Sequence, residues 1–227
     1  MIRFLSRFAA PLTVAALLAA APAVQAAVVF SDNFNSESAG NALDFNAFDN
    51  WTVSAGTVDY IRSGVQFGIN CAGGAGGCVD LDGSTNNAGV MSSIAVYNLM
   101  AGETYFFSVA LSGSQVTENN GAAPNQVRFG FAAANFNQAS NTPAFLDFQS
   151  VTRQKNDPFA TYTLAYTPTT NVSTRLVISG SGGQGQALGD NVGLILDNAR
   201  LEVPEPGTLA LLGLGLAALG LRRRRAA

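Results

Sequence analysis

An all-β fold, an antiparallel two-sheet β-sandwich of the jelly-roll kind, is predicted for the body of this 227-residue chain. Three observations predict it. Apolar and polar residues alternate with period two in several short runs. Gly, Asn, Ser and Pro separate those runs. No sustained helical period occurs between the two ends. The ends differ from the body: a signal helix is expected before it and a short hydrophobic helix after it.

Residues 1–26 read as a signal peptide. Arg3 and Arg7 make a basic start, Phe8 to Ala21 is apolar and small, and Val24-Gln25-Ala26 presents small residues where signal peptidase cuts, after Ala26. Pro11 and Pro22 interrupt the segment, which argues against a core helix.

The body, residues 27–203, then opens with VVFSDNFNSE and NWTVSAGTVDYI. ETYFFSVAL places Tyr105, Phe107, Val109 and Leu111 on one face of a strand. QVRFGF does the same for Val127, Phe129 and Phe131. FATYTLAYT aligns Tyr162, Leu164 and Tyr166, and STRLVISG and VGLILDNARLEV continue the pattern. SGSQVTENNGAAPN and FNQASNTPA read as loops. No repeat of 20–50 residues is visible, so neither a solenoid nor a propeller is indicated. One domain of this length can bury a substantial core.

Composition excludes several functions. The chain has no histidine, which removes Ser-His-Asp catalysis, His-based zinc sites and His-ligated haem. The body holds six cations, Arg62, Arg128, Arg153, Lys155, Arg175 and Arg200, against fourteen acids, a net charge of −8. Scattered cations on an acidic body make no basic patch, so no nucleic-acid partner is expected. The two cysteines, Cys71 and Cys78 in CAGGAGGC, are close in sequence around a pliable Gly-rich loop. In an exported protein they are expected to form a disulfide, with two free thiols as the alternative.

Other motifs point to structure. VDLDGST starts like an EF-hand, but Thr85 stands where Gly is needed and Met91 where the bidentate Glu belongs. A strand running into an Asp82-Gly83 turn is the expectation. GSGGQGQALG lacks the Lys-Ser/Thr of a P-loop and reads as a flexible loop. Glu103, Glu118, Asp147 and Asp157 could serve glycoside hydrolysis, but nothing in the sequence pairs them. Trp51 is expected in the core, whereas Tyr60 and Tyr97 are equal candidates for stacking on a sugar.

The chain closes on VPEPGTLALLGLGLAALGLRRRRAA. Gly207 to Leu221 would span about 22 Å as a helix, short against a hydrocarbon core of about 30 Å. Arg222, Arg223, Arg224 and Arg225 would stay cytoplasmic by the positive-inside rule, leaving the body outside. Val203-Pro204-Glu205-Pro206, the apolar segment and the Arg cluster, in that order, resemble a PEP-CTERM sorting signal over residues 204–227. That resemblance implies an exported protein of an exopolysaccharide-producing bacterium, held transiently in the inner membrane and processed by exosortase, a membrane-embedded protease. A plain C-terminal anchor is the alternative.

The strands that open and close the body resemble those of galactose-binding-like jelly rolls, the fold of many carbohydrate-binding modules. The resemblance implies a structural Ca2+ where the first and last strands meet, with Asp32, Asn33 and Asp197 as the matching positions. Asp197 sits between Leu196 and Asn198 in a strongly apolar strand, where an unpaired charge is costly. The alternative is a carboxylate bonded to loop amides. The expected function is that of a non-catalytic envelope or matrix protein associated with extracellular polysaccharide. Its rivals are a purely structural surface protein and a secreted carboxylate-dependent hydrolase.

Overall fold

The structure is a computed structural model that describes residues 26–65, 67–85, 87–116, 124–140, 142–180, 191, 193–204 and 215. The chain divides into two compact units, Val28–Val203 on one hand, Met1–Ala27 with Pro204–Ala227 on the other. Of the second unit Ala26, Ala27, Pro204 and Gly215 are described, and Gly215 is helical. The expected signal peptide before Ala26 and, apart from Gly215, the expected C-terminal apolar helix lie outside the described residues. Among the described residues no helix is long and apolar enough to cross a membrane.

Twelve strands make up the described sandwich: β1 (Ala26–Asp32), β2 (Trp51–Ala55), β3 (Asp59–Arg62), β4 (Gly77–Asp80), β5 (Val90–Ser93), β6 (Tyr97–Leu99), β7 (Tyr105–Ser112), β8 (Asn125–Ala133), β9 (Phe145–Arg153), β10 (Ala160–Tyr166), β11 (Val172–Ser179) and β12 (Ile195–Pro204). They form two six-stranded sheets. The first has the order β10-β7-β12-β4-β3, with β1 also on β12; the second has the order β2-β5-β11-β8-β9, with β6 also on β11. The chain passes repeatedly between sheets, as a jelly roll requires.

The alternation read from sequence sets the inner faces. Phe107, Val109 and Leu111 of β7 face Phe129 and Phe131 of β8 across the core, all fully buried or nearly so. Phe107 meets Phe129 and Phe131 edge-on at 5.6 and 6.0 Å. Each such side chain contributes about 1.5–3 kcal/mol on burial. Tyr162, Leu164 and Tyr166 of β10 pack against the same cluster while half-exposed, because β10 is the last strand of its sheet. A second aromatic chain, Phe30–Trp51–Phe34–Phe48–Phe45–Tyr60, fills the core near β1 and β2.

Two features go beyond the sequence reading. NWTVSAGTVDYI is not one strand: β2 joins the second sheet and β3 the first. Gly56 makes the switch at φ +61, and a Cβ there would lie 2.3 Å from the Ala88 carbonyl oxygen. FLDFQSVTR is a nine-residue strand, β9, which its apolar pattern hides. Leu146 and Phe148 point outward and stay exposed, so hydrophobicity does not alternate.

Candidate functional site

The last strand positions the site. β12 pairs with β7 in register from Ile195 to Asp197, shifts, and resumes at Arg200 opposite Ser108. Asn198 occupies the left-handed region at φ 49, which Asn tolerates better than most residues. This bulge leaves Asp197 nearly buried, sets Asn198 in solvent, and re-aims the rest of the strand.

A groove of about 460 Å³ lies here on the first sheet, lined by Ser31 and Asp32 of β1, Ser108 and Ala110 of β7, Thr161 of β10, and Asn198 to Arg200 with Glu202 of β12. Arg200 and Glu202 form an ion pair along one wall. The Ser108 hydroxyl donates to the Arg200 carbonyl at 3.5 Å. The lining is thus rich in hydroxyl, amide and charged groups fixed on strands, with no aromatic side chain among them.

Asp32 lines the groove, and Asp197 directly precedes its lining residue Asn198. The Asp32 carboxylate accepts from the Phe34 amide (2.8 Å), the Asn50 side-chain amide (3.1 Å) and the Trp51 indole (3.0 Å). Asp197 accepts from the Ala72 amide (3.0 Å) and the Asn198 amide (2.7 Å). Asn33 is exposed, and its side chain accepts from the Asn35 amide at 3.2 Å. Burial pushes the Asp197 carboxyl up to about 6, the two amides oppose that shift, and the nearby charge of Asp32 adds to it. The donors that reach the two carboxylates are N–H groups, and among the described residues no cluster of three or more His, Cys, Asp or Glu side chains could hold a metal.

A second acidic group lies under β3 and β4. Asp80 is buried, accepting from the amides of Gly193 (2.9 Å) and Asp82 (3.1 Å). Burial holds its carboxyl well above the usual range, and the charges of Asp59 and Asp82 add to that. Asp59 is shifted the same way by burial. Asp82 and Gly83 stand in the turn after β4, with the Gly83 amide donating to the Thr57 carbonyl at 3.0 Å.

These shifts set a pH dependence. A carboxyl whose folded pKa is raised is protonated more readily in the folded state than in the unfolded state. Its contribution to stability is complete below the ordinary value and is lost as pH rises through the folded value. For Asp197 that window runs from 3.8 to about 6. Metal-free protein is expected to become more stable as pH falls through this window, and Asp197→Asn to flatten the trend. Urea midpoints across the window check this; a midpoint that falls on acidification refutes it.

Cys71 and Cys78 are joined, with Cα atoms 5.4 Å apart. A short 3-10 turn at Ala72–Gly74 lies between them, and Gly73, Gly74 and Gly76 have positive φ. The turn delivers the Ala72 amide to Asp197, so the Gly-rich loop is tied to β12 just before the groove-lining Asn198.

Of the candidate sugar-stacking residues, Tyr60 needs correction. Tyr60 is fully buried, tilted on Phe45 at 5.6 Å, and cannot face a ligand. Tyr97 is half-buried against Phe30, and burial pushes its hydroxyl up to about 12. Trp51 is 1% exposed and belongs to the core. Of the acids considered for hydrolysis, Asp157 is 3.6 Å from Arg153 and accepts from the Gln154 amide, while Asp147 accepts from its neighbour Phe148. Glu118 lies outside the described residues. Sequence reasoning missed Ser108, Thr161, Arg200 and Glu202. Their only signal was an outward position on strands whose alternate residues are core.

An antiparallel two-sheet sandwich whose terminal strand leads into Pro204-Glu205-Pro206 defines the class: an exported β-sandwich with a C-terminal sorting signal. The PEP-CTERM protein-sorting motif matches residues 202–225, so the motif begins inside β12. Among curated proteins no relative matches the chain. Solved structures similar to it include the CBM22-1 xylan-binding domain of Paenibacillus barcinonensis Xyn10C, at 12% identity over 80% of this chain and 97% of that one, TM-score 0.38. The K1 cleaved adhesin domain of Lys-gingipain from Porphyromonas gingivalis W83 is similar at 12% identity over 78% and 98%, TM-score 0.42. An Arthrobacter globiformis T6 isomalto-dextranase is similar at 11% identity over 71% of this chain and 22% of that one, TM-score 0.40.

Proposed function

We propose that this protein is a non-catalytic envelope or matrix component that holds extracellular polysaccharide in the groove of the first sheet, after export and exosortase processing of its tail. The observation that carries the reading is the groove itself. Ser31, Ser108, Thr161, Asn198 and the Arg200–Glu202 pair offer donors and acceptors on a rigid floor, matched to a hydroxyl-rich polymer. A polar lining of this kind orients a ligand through hydrogen bonds, each to a charged group being worth about 1.5–3 kcal/mol. Asp147 and Asp157, two of the four carboxylates considered for hydrolysis, are engaged with their own neighbours, which supports binding over catalysis.

Affinity electrophoresis through the producing organism's own exopolysaccharide tests the reading. The exported protein is expected to be retarded, and Arg200→Ala to weaken retardation by roughly tenfold or more. Equal mobility with and without polymer would instead favour a purely structural surface protein.

A calcium ion shared by Asp32 and Asp197, with Asn33 nearby, is a further proposal. What supports it is a nearly buried Asp197 carboxyl that burial, and to a smaller extent the charge of Asp32, disfavours in its ionised form, a cost that a cation would relieve. Bound calcium favours the ionised forms, so it would reverse the acid stabilisation expected of metal-free protein. Calcium should then raise the melting temperature near neutrality, chelator should lower it, and Asp197→Ala should remove the difference. Melting that ignores calcium in the wild type refutes the shared site.

A further inference from the structure

Among the described residues the four strands that end the two strand orders are not protected alike, while β1 and β6 pair beside those paths, on β12 and β11. A sheet edge presents a row of unpaired N–H and C=O groups, and proteins blunt it with charge, Pro, bulges, shortness or cover. β3 carries Asp59 and Arg62, and a bridge from Ala42 to Tyr60 lies along it. β9 carries Asp147 and Arg153, and its register shifts at Phe131–Ala132 of its partner. β2 has five residues and a shift between Val53 and Ala55.

None of β10's own residues supplies such a device, although Arg153 of β9 donates to the Tyr162 hydroxyl at 2.9 Å and lies over its ring. The seven residues of β10, ATYTLAY, contain no charge, Pro or Gly. They pair with β7 in unbroken register from Ala160↔Leu111 to Tyr166↔Tyr105, and among the described residues β7 is their one partner strand. Thr161, Thr163 and Ala165 are exposed, and Tyr162, Leu164 and Tyr166 leave apolar area open at the sandwich margin. Thr and Tyr are residues that strands favour.

We propose that β10 is a self-pairing edge: two copies of this chain join their β10 strands antiparallel about a two-fold axis, fusing two first sheets into one. A second copy is the occupant that the charges favour. The body as a whole carries −8, so copies repel over most of their surface. β10 itself brings no charged side chain to an identical strand, the Arg153 against Tyr162 is paired with Asp157, and a dyad near Thr163 sets Thr opposite Thr. Tyr162 and Leu164 of one copy then face Leu164 and Tyr162 of the other, burying the apolar margin of both. The contact is isologous and closes at a dimer. The pairing rests on the edge alone and stands whether or not the groove takes polysaccharide. Thr161 also lines the groove, so the joined sheets would carry two grooves on one continuous face.

The test is sedimentation equilibrium of the exported protein, with hydrogen exchange followed by mass spectrometry over a dilution series. A monomer–dimer equilibrium is expected, with amides of β10 alone exchanging more slowly as concentration rises. Thr163→Lys combined with Ala165→Lys, both outward-facing, should raise the dissociation constant roughly tenfold or more without changing the melting temperature of dilute protein. Thr52→Lys on β2 should leave it unchanged. A protein monomeric at every concentration, or a dimer whose β10 amides exchange as fast as when dilute, overturns the proposal. The exchange result on the wild type decides the matter even if the double variant fails to fold.

Discussion

Trp51→Ala is expected to destabilise the fold by about 3–5 kcal/mol, more than any other single change considered. Trp51 is 1% exposed and touches Phe30 edge-on at 5.6 Å and Phe34 at 6.2 Å, so its removal opens a cavity where the two sheets meet. A second loss adds to the first. The indole donates at 3.0 Å to Asp32, which is itself buried, and a buried carboxylate deprived of a donor costs about 1–3 kcal/mol. Trp51→Phe separates the two terms, because it keeps most of the volume and removes only the hydrogen bond. Its expected cost is therefore about 1–3 kcal/mol. Urea unfolding of both variants measures the difference. Polysaccharide retardation of Trp51→Phe should match the wild type, since the ring faces the core; a selective loss of retardation at unchanged stability would place Trp51 in a binding site after all.

Removing the disulfide by Cys71→Ala with Cys78→Ala is expected to cost about 2–3 kcal/mol, the loop-closure term for so short a loop. The bridge is buried with Ile61, Ile69 and Ile195, so Ala at both positions leaves apolar surroundings intact. The loop has two further anchors, Ala72 to Asp197 and Gly77 to the side chain of Asn35 at 2.8 Å. Freeing the loop weakens the first of them. A specific consequence follows for the pH profile. With the Ala72 amide no longer held in place, Asp197 loses one of the two bonds that favour its ionised form. Its carboxyl should rise further, and the acid stabilisation of metal-free protein should extend to higher pH. Paired urea curves of oxidised wild type and the double variant across that range measure both effects. Equal midpoints for the two proteins would show that the bridge contributes nothing beyond the loop's hydrogen bonds.

The sequence by itself determined the class of fold, the inward faces of β7, β8 and β10, the core position of Trp51 and the sorting motif at the end. Each depends on local information: period-two alternation, residue type, and the linear order of a tail meant to be read as an extended address. It was silent on β9, because tertiary packing left Leu146 and Phe148 exposed and broke the alternation. It misassigned Tyr60, because side-chain polarity does not reveal that Phe45, the pairing with β4 and the bridge to Ala42 will bury the residue. The split of NWTVSAGTVDYI between sheets was marked only by Gly56, whose tight approach to Ala88 exists in three dimensions alone. The groove was likewise invisible. Ser31, Ser108, Thr161 and Arg200 come from four strands, and no spacing in one dimension relates them. Only antiparallel pairing brings them to one face, and only the bulge at Asn198 turns the end of β12 so that Arg200 and Glu202 wall it.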